Sequence, residues 1–147
     1  MPNRELTTST RYVQLIEPET VTDTGRTNYV DLQGWDAVDF LVDYGDVTAA
    51  GGSNNFVITL QEKDTVPGTI AGYTAVAAAD RTGAFTQLEN GVTSGNSVVG
   101  YKGSARYVHV LITETGTASA VIGVTAILRK FSRQPSNAVA VTTGDVT

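Results

Sequence analysis

Two neighbouring segments, ARYVHVLIT (Ala105–Thr113) and TASAVIGVTAILRK (Thr117–Lys130), constrain the fold more than any other part of this chain. Both have strand length. In the first, Tyr107, His109 and Leu111 alternate with Val108, Val110 and Ile112, so both of its faces are largely apolar. An extended segment of that kind has to be covered on both sides, which suits a central strand of a two-layer sandwich. Between the two lies Glu114-Thr115-Gly116, a short glycine-containing loop, and the pair is expected to form a hairpin.

The rest of the chain continues in the same pattern. Val38, Phe40, Val42 and Tyr44 alternate with Asp39, Leu41 and Asp43, a period-two strand preceded by a Gly34-Trp35 turn. Phe56–Asp64 is the next strand, with Phe56, Ile58 and Leu60 inward, and it is flanked by the loop Thr48–Asn55 and the Pro67-Gly68 turn. From Tyr73 to Ser97, TAVAAAD fits one helical turn or a short strand. Strand pieces follow around turns at Asn90-Gly91 and Gly95-Asn96. Roughly nine short strands, with a turn signal every eight to twelve residues or so and no long helix, predict an all-β, antiparallel β-sandwich. Residues 1–27 are Thr-rich and polar, and read as an N-terminal arm with one short strand at Tyr12–Ile16. Residues 28–131 form the sandwich domain, and residues 132–147 a C-terminal tail broken by Pro135.

Charge limits the possible partners. The 147 residues carry a net charge of -5, and a nucleic-acid binder needs a basic face to displace counterions from phosphates. The imbalance is local: residues 1–100 hold 13 acids and 5 bases, whereas residues 101–147 hold 2 acids and 5 bases. Such polarity orients a subunit against neighbours of complementary charge. With no cysteine, disulfides and thiolate metal sites are impossible. The start MPNRELTTST lacks the apolar core of a signal peptide. The longest apolar run, Ala118–Leu128, is interrupted by Ser119, Gly123 and Thr125 and is too short for a bilayer. The expectation is a soluble protein made in a cytoplasm, with no membrane partner.

No residue pattern carries chemistry. His109, the sole histidine, sits among apolar strand neighbours without the hydroxyl and acid that nucleophilic catalysis requires, and reads as a structural side chain. Asp36, Asp39, Asp43 and Asp46 cluster around one strand, but their spacing is too sparse for an EF-hand loop. The carboxylate pairs Asp39/Asp43 and Glu62/Asp64 read as solvated surface. GYKGSAR (Gly100–Arg106) lacks phosphate-loop spacing and leads into a strand, so it reads as a turn. No catalytic residue, cofactor or metal is therefore assigned, and the chain is not expected to be an enzyme. The residues expected to meet partners are Arg4, Tyr12, Trp35, Arg129, Lys130, Phe131, Arg133 and Pro135. Ordering a residue costs roughly 1–2 kcal/mol of backbone entropy, so a polar tail gains order only by lying against a neighbouring chain.

Four stretches carry a family resemblance: MPNREL, VDLQGWDAVDFLVDYGDVTA, FVITLQEKD and VVGYKGSARYVHVLITETGTASAVIGVTAILRKFSRQP. Together they resemble small virion proteins of tailed bacteriophages, of the capsid decoration or cement type. The resemblance implies a jelly-roll-like sandwich on the outer capsid surface, synthesised in the host cytoplasm. It also implies the major capsid protein and further copies of the chain, as dimer or trimer, as partners. Alternatives are a neck or tail component, such as a head-completion or tail-terminator ring, and a virion-displayed carbohydrate-binding sandwich.

Overall fold

Along Ala37–Tyr44 the alternation of side chains becomes an alternation of environment: Val38, Phe40 and Val42 are buried, while Asp43 is exposed. The same logic builds the whole protein in a computed structural model that describes residues 10–49, 53–65 and 72–130. The strands are β1 (Thr10–Val21), β2 (Gly25–Arg26), β3 (Val30–Asp31), β4 (Ala37–Tyr44), β5 (Thr48–Ala49) and β6 (Asn55–Lys63). They continue with β7 (Thr74–Ala75), β8 (Arg81–Thr82), β9 (Leu88–Glu89), β10 (Gly95–Tyr101), β11 (Tyr107–Thr115) and β12 (Ala118–Arg129). A 3₁₀ turn, Ala78–Asp80, is the one helical element among the described residues. TAVAAAD thus holds both a two-residue strand and a helical turn.

Two antiparallel sheets face each other, as an all-β sandwich requires. The first runs β1-β12-β4-β10-β8; in the second, β2 and β3 flank β11, which pairs with β6, which pairs with β7 and β9. The pairing is nested: β1 with β12, β2 and β3 with β11, β4 with β10, β6 with β7 and β9. Phe40, Phe56, Leu88, Ile112, Ile122 and Val124 fill the space between the sheets. Each such side chain contributes about 1.5–3 kcal/mol by leaving water.

β11 and β12 do not form the expected hairpin. β11 belongs to the second sheet, pairing with β6 from Tyr107↔Lys63 to Thr115↔Asn55, whereas β12 belongs to the first, between β1 and β4. The intervening turn carries the chain from one layer to the other, with Gly116 at φ 74° and Ala118 N–H donating to Glu114 Oε1 at 3.0 Å. The reason is one of neighbours. Each of these two strands needs a partner on both edges, and crossing between layers lets both be central.

Two further differences concern strand limits. The segment Tyr12–Ile16, expected as one short strand in an arm, is part of a twelve-residue strand whose Val13, Leu15, Ile16 and Val21 pack against the core. Gly95-Asn96, expected as a turn, begins β10 opposite Tyr44 and Asp43. Gly34 does turn the chain before β4: it adopts φ 80°, and Trp35 N–H donates to the Leu32 carbonyl at 3.0 Å.

Candidate functional site

Strand register gathers several of the expected contact residues at one corner of the first sheet. β12 ends at Arg129, which lies between Thr10, where β1 starts, and Ala37, where β4 starts. Arg129 reaches across the outer face to Asp39, Nη2 to Oδ2 at 3.0 Å, and its carbonyl accepts the Asp36 N–H at 3.0 Å. The next residue, Lys130, holds its ammonium 5.1 Å from the Trp35 ring centroid. Trp35 is half-buried against the core edge, so its ring position is fixed. Tyr12 sits beside Ile127 on the neighbouring strand, and its side chain is 71% exposed. A cavity of about 410 Å³ opens beside this corner, lined by Trp35, Asp36, Tyr101, Lys102, Ser104 and Arg106 among others. Tyr12, Trp35, Arg129 and Lys130 are thereby brought to one end of the sandwich; Arg4, Phe131, Arg133 and Pro135 lie outside the described residues, as does the tail 132–147.

A second surface has no counterpart in the sequence reading. In β11, Val108, Val110 and Ile112 point into the core, so Tyr107 and His109 face outward, yet both are only 3% exposed. They are covered by other aromatics. Tyr29 meets Tyr107 edge-to-face with centroids 5.4 Å apart, and Tyr73 lies 4.0 Å from His109 at a tilt of 38°. Two cations rest on this layer: Arg106 at 5.1 Å from the Tyr107 ring and Lys63 at 5.7 Å from Tyr73. Arg106 also grips Asp31 through two hydrogen bonds, of 2.9 and 2.8 Å. Those bonds and the Gln33 N–H hold the Asp31 carboxyl down at about 2.

His109 is structural in this setting. Its Nε2 lies 2.9 Å from Gln61 Oε1, and because an amide oxygen only accepts, the ring nitrogen donates. Burial, reinforced by the charge of Arg26, lowers its pKa to about 4. The aspartates near β4 have separate tasks: Asp39 binds Arg129, and Asp46 accepts the Ser94 N–H at 2.8 Å. Among the described residues no three His, Cys, Asp or Glu side chains come close enough to share a metal, and no helix is long and apolar enough to cross a membrane. Glu62 accepts the Tyr101 hydroxyl at 2.5 Å, and that hydroxyl in turn accepts the Ala105 N–H at 2.9 Å. The two bonds pin the β10–β11 connection; burial first, and then the hydrogen bond to Glu62, raise the tyrosine pKa far above its ordinary value, while the Ala105 N–H opposes that rise.

The aromatic layer escaped sequence reading because Tyr29, Tyr73 and Tyr107 come from three distant parts of the chain. The one local signal was the outward phase of Tyr107 and His109 within β11. No known protein family matches the chain, and no curated protein is significantly similar to it.

Proposed function

We propose that the chain is a structural virion subunit that decorates and cements the capsid of a tailed bacteriophage, acting by adhesion and transforming no substrate. The observation that carries the reading is the corner described above. Tyr12, Trp35, Arg129 and Lys130 converge where β12 leads into Phe131–Pro135, so an aromatic and basic contact end stands on a rigid two-sheet body. The nested strand pairing supports the jelly-roll reading of the sandwich, since that winding recurs in viral capsid and lectin domains. The sequence resemblance to decoration proteins points the same way. The major capsid protein is the partner this reading calls for, with further copies of the chain beside it.

The test compares particles with and without the protein. Stripped particles should open at lower temperature or lower internal pressure, and re-adding the protein should restore them. Equal robustness in both would sink the proposal. Copy number separates a cement from a neck or tail ring: hundreds per particle against about a dozen or fewer.

The aromatic layer favours a second reading, a virion-displayed carbohydrate-binding face. Tyr29 is 45% exposed beside Tyr107, a geometry on which a sugar ring can stack. Glycan binding by the isolated protein that disappears in Tyr29→Ala would support it, and an empty glycan array would remove it.

A further inference from the structure

The connection from β10 to β11 is pinned at both ends. Lys102 N–H donates to the Asp80 carbonyl at 2.7 Å, and Ala105 N–H donates to the Tyr101 hydroxyl at 2.9 Å. Between these bonds the backbone lies against the Tyr101 ring, so closely that a Cβ on Gly103 would strike the tyrosine hydroxyl. The N–H groups of Gly103 and Ser104 are left over, and neither has an acceptor among the described residues. A buried or half-buried backbone donor of this kind normally finds one.

Gly103 and Ser104 line the cavity of about 410 Å³ beside the contact corner. Around them donors outnumber open acceptors. Lys102 is exposed on the cavity wall, and its ammonium has no ion pair among the described residues. The nearby carboxylates are already committed: Asp31 to Arg106 and to the Gln33 N–H, while Asp36 also has a partner. Much of the remaining wall is apolar, formed by Leu32, Ala37, Val38 and the Trp35 ring, with the Lys130 ammonium 5.1 Å from the ring centroid.

We infer that this cavity binds an acidic peptide segment, with Lys102 and the Gly103–Ser104 backbone receiving its carboxylate and Trp35 and Leu32 receiving an apolar side chain next to it. Hydrogen bonds from an ammonium to a carboxylate are among the stronger ones, and a loop already fixed in place loses little freedom on binding. The volume lies within the range of small-ligand sites, roughly 300–1,000 Å³. A nucleic acid fits less well, since the chain carries a net charge of -5 and the apolar wall offers nothing to a phosphate. The inference rests on the contact-corner reading and names the chemistry of the partner that the corner meets.

Trp35 is the sole tryptophan, so its fluorescence reports directly on the cavity. The probe is the capped tripeptide Leu-Glu-Leu, titrated into the full chain, with Leu-Gln-Leu as its neutral counterpart and calorimetry as the second readout. The acidic peptide should give a saturable change and bind about tenfold or more tightly than the neutral one. Lys102→Ala should weaken it about tenfold, and Lys102→Arg should keep binding within about threefold. Both variants should keep the wild-type unfolding temperature, because Lys102 is exposed. No saturable binding at millimolar peptide by either readout overturns the inference. Equal binding of the two peptides, an unaffected Lys102→Ala, or displacement of the peptide by an equal concentration of inorganic phosphate does so too. Peptide binding without any gain in particle stability would retain this site and discard the capsid role, whereas reinforced particles without peptide binding would do the reverse.

Discussion

Acidification from pH 7 to 4.5 is expected to weaken this fold by about 2 kcal/mol through His109 alone. In the unfolded chain the imidazole takes up its proton near 6.5; in the fold, burial and the Arg26 charge delay protonation to about 4. Above 6.5 both states are neutral and the full stability is present. Between 6.5 and 4 only the unfolded chain binds the proton, so stability falls as pH falls; below 4 both states are charged and the loss stops. Each pH unit inside the window is worth about 1.4 kcal/mol, which limits the total to about 3 kcal/mol. That is a large part of the roughly 5–15 kcal/mol that holds a domain together. Urea unfolding at both pH values, for wild type and for His109→Gln, isolates the effect because carboxylate contributions are common to both proteins. The wild type should lose about 2 kcal/mol more than the variant. The sole histidine also gives a single imidazole NMR signal, whose midpoint should lie near 4. A midpoint near 6.5, or equal acid sensitivity in the two proteins, would refute the reasoning.

Three further substitutions probe other parts of the structure. Gly116→Ala places a Cβ on the Asn54 amide at a positive φ, and should lower stability by about 1–3 kcal/mol in a thermal-unfolding assay. Tyr101→Phe removes the hydroxyl that links Glu62 to the Ala105 N–H, and should cost about 1–2 kcal/mol by denaturant titration. Arg129→Ala breaks an ion pair whose side chains are 49% and 28% exposed, so stability should change by less than about 1 kcal/mol; the proposed capsid role adds the expectation that occupancy on particles, read by quantitative gel, drops.

Local signals were legible in the sequence and remote ones were not. The alternation of Val38, Phe40 and Val42 against Asp39 and Asp43 located β4, and Phe56, Ile58 and Leu60 located β6, because a half-buried strand writes its environment directly into a period of two. The lengths of β11 and β12 were also readable, but their layer was not: a short glycine loop serves a hairpin and a crossover between sheets equally well, and only the pairing with β6 and β4 decides. β1 looked like a polar arm because Glu17, Pro18 and Glu19 interrupt its apolar residues, a composition that an edge strand tolerates and a central strand does not. At the candidate corner, Trp35 and Lys130 could be named singly, but their meeting follows from register across β4 and β12.

The nested pairing also dictates when the protein can fold. Thr10 leaves the ribosome early and must wait for Arg129 before β1 has a partner, and β4 likewise waits for β10 and β12. Nearly all of the segment from Thr10 to Arg129 has to be synthesised before the first sheet can close, so folding is slow, as expected when sequence-distant contacts dominate. During that wait the unpaired β-segments are open to chaperones and to one another, and a premature stop early in β12 removes the strand that joins β1 to β4 in the first sheet.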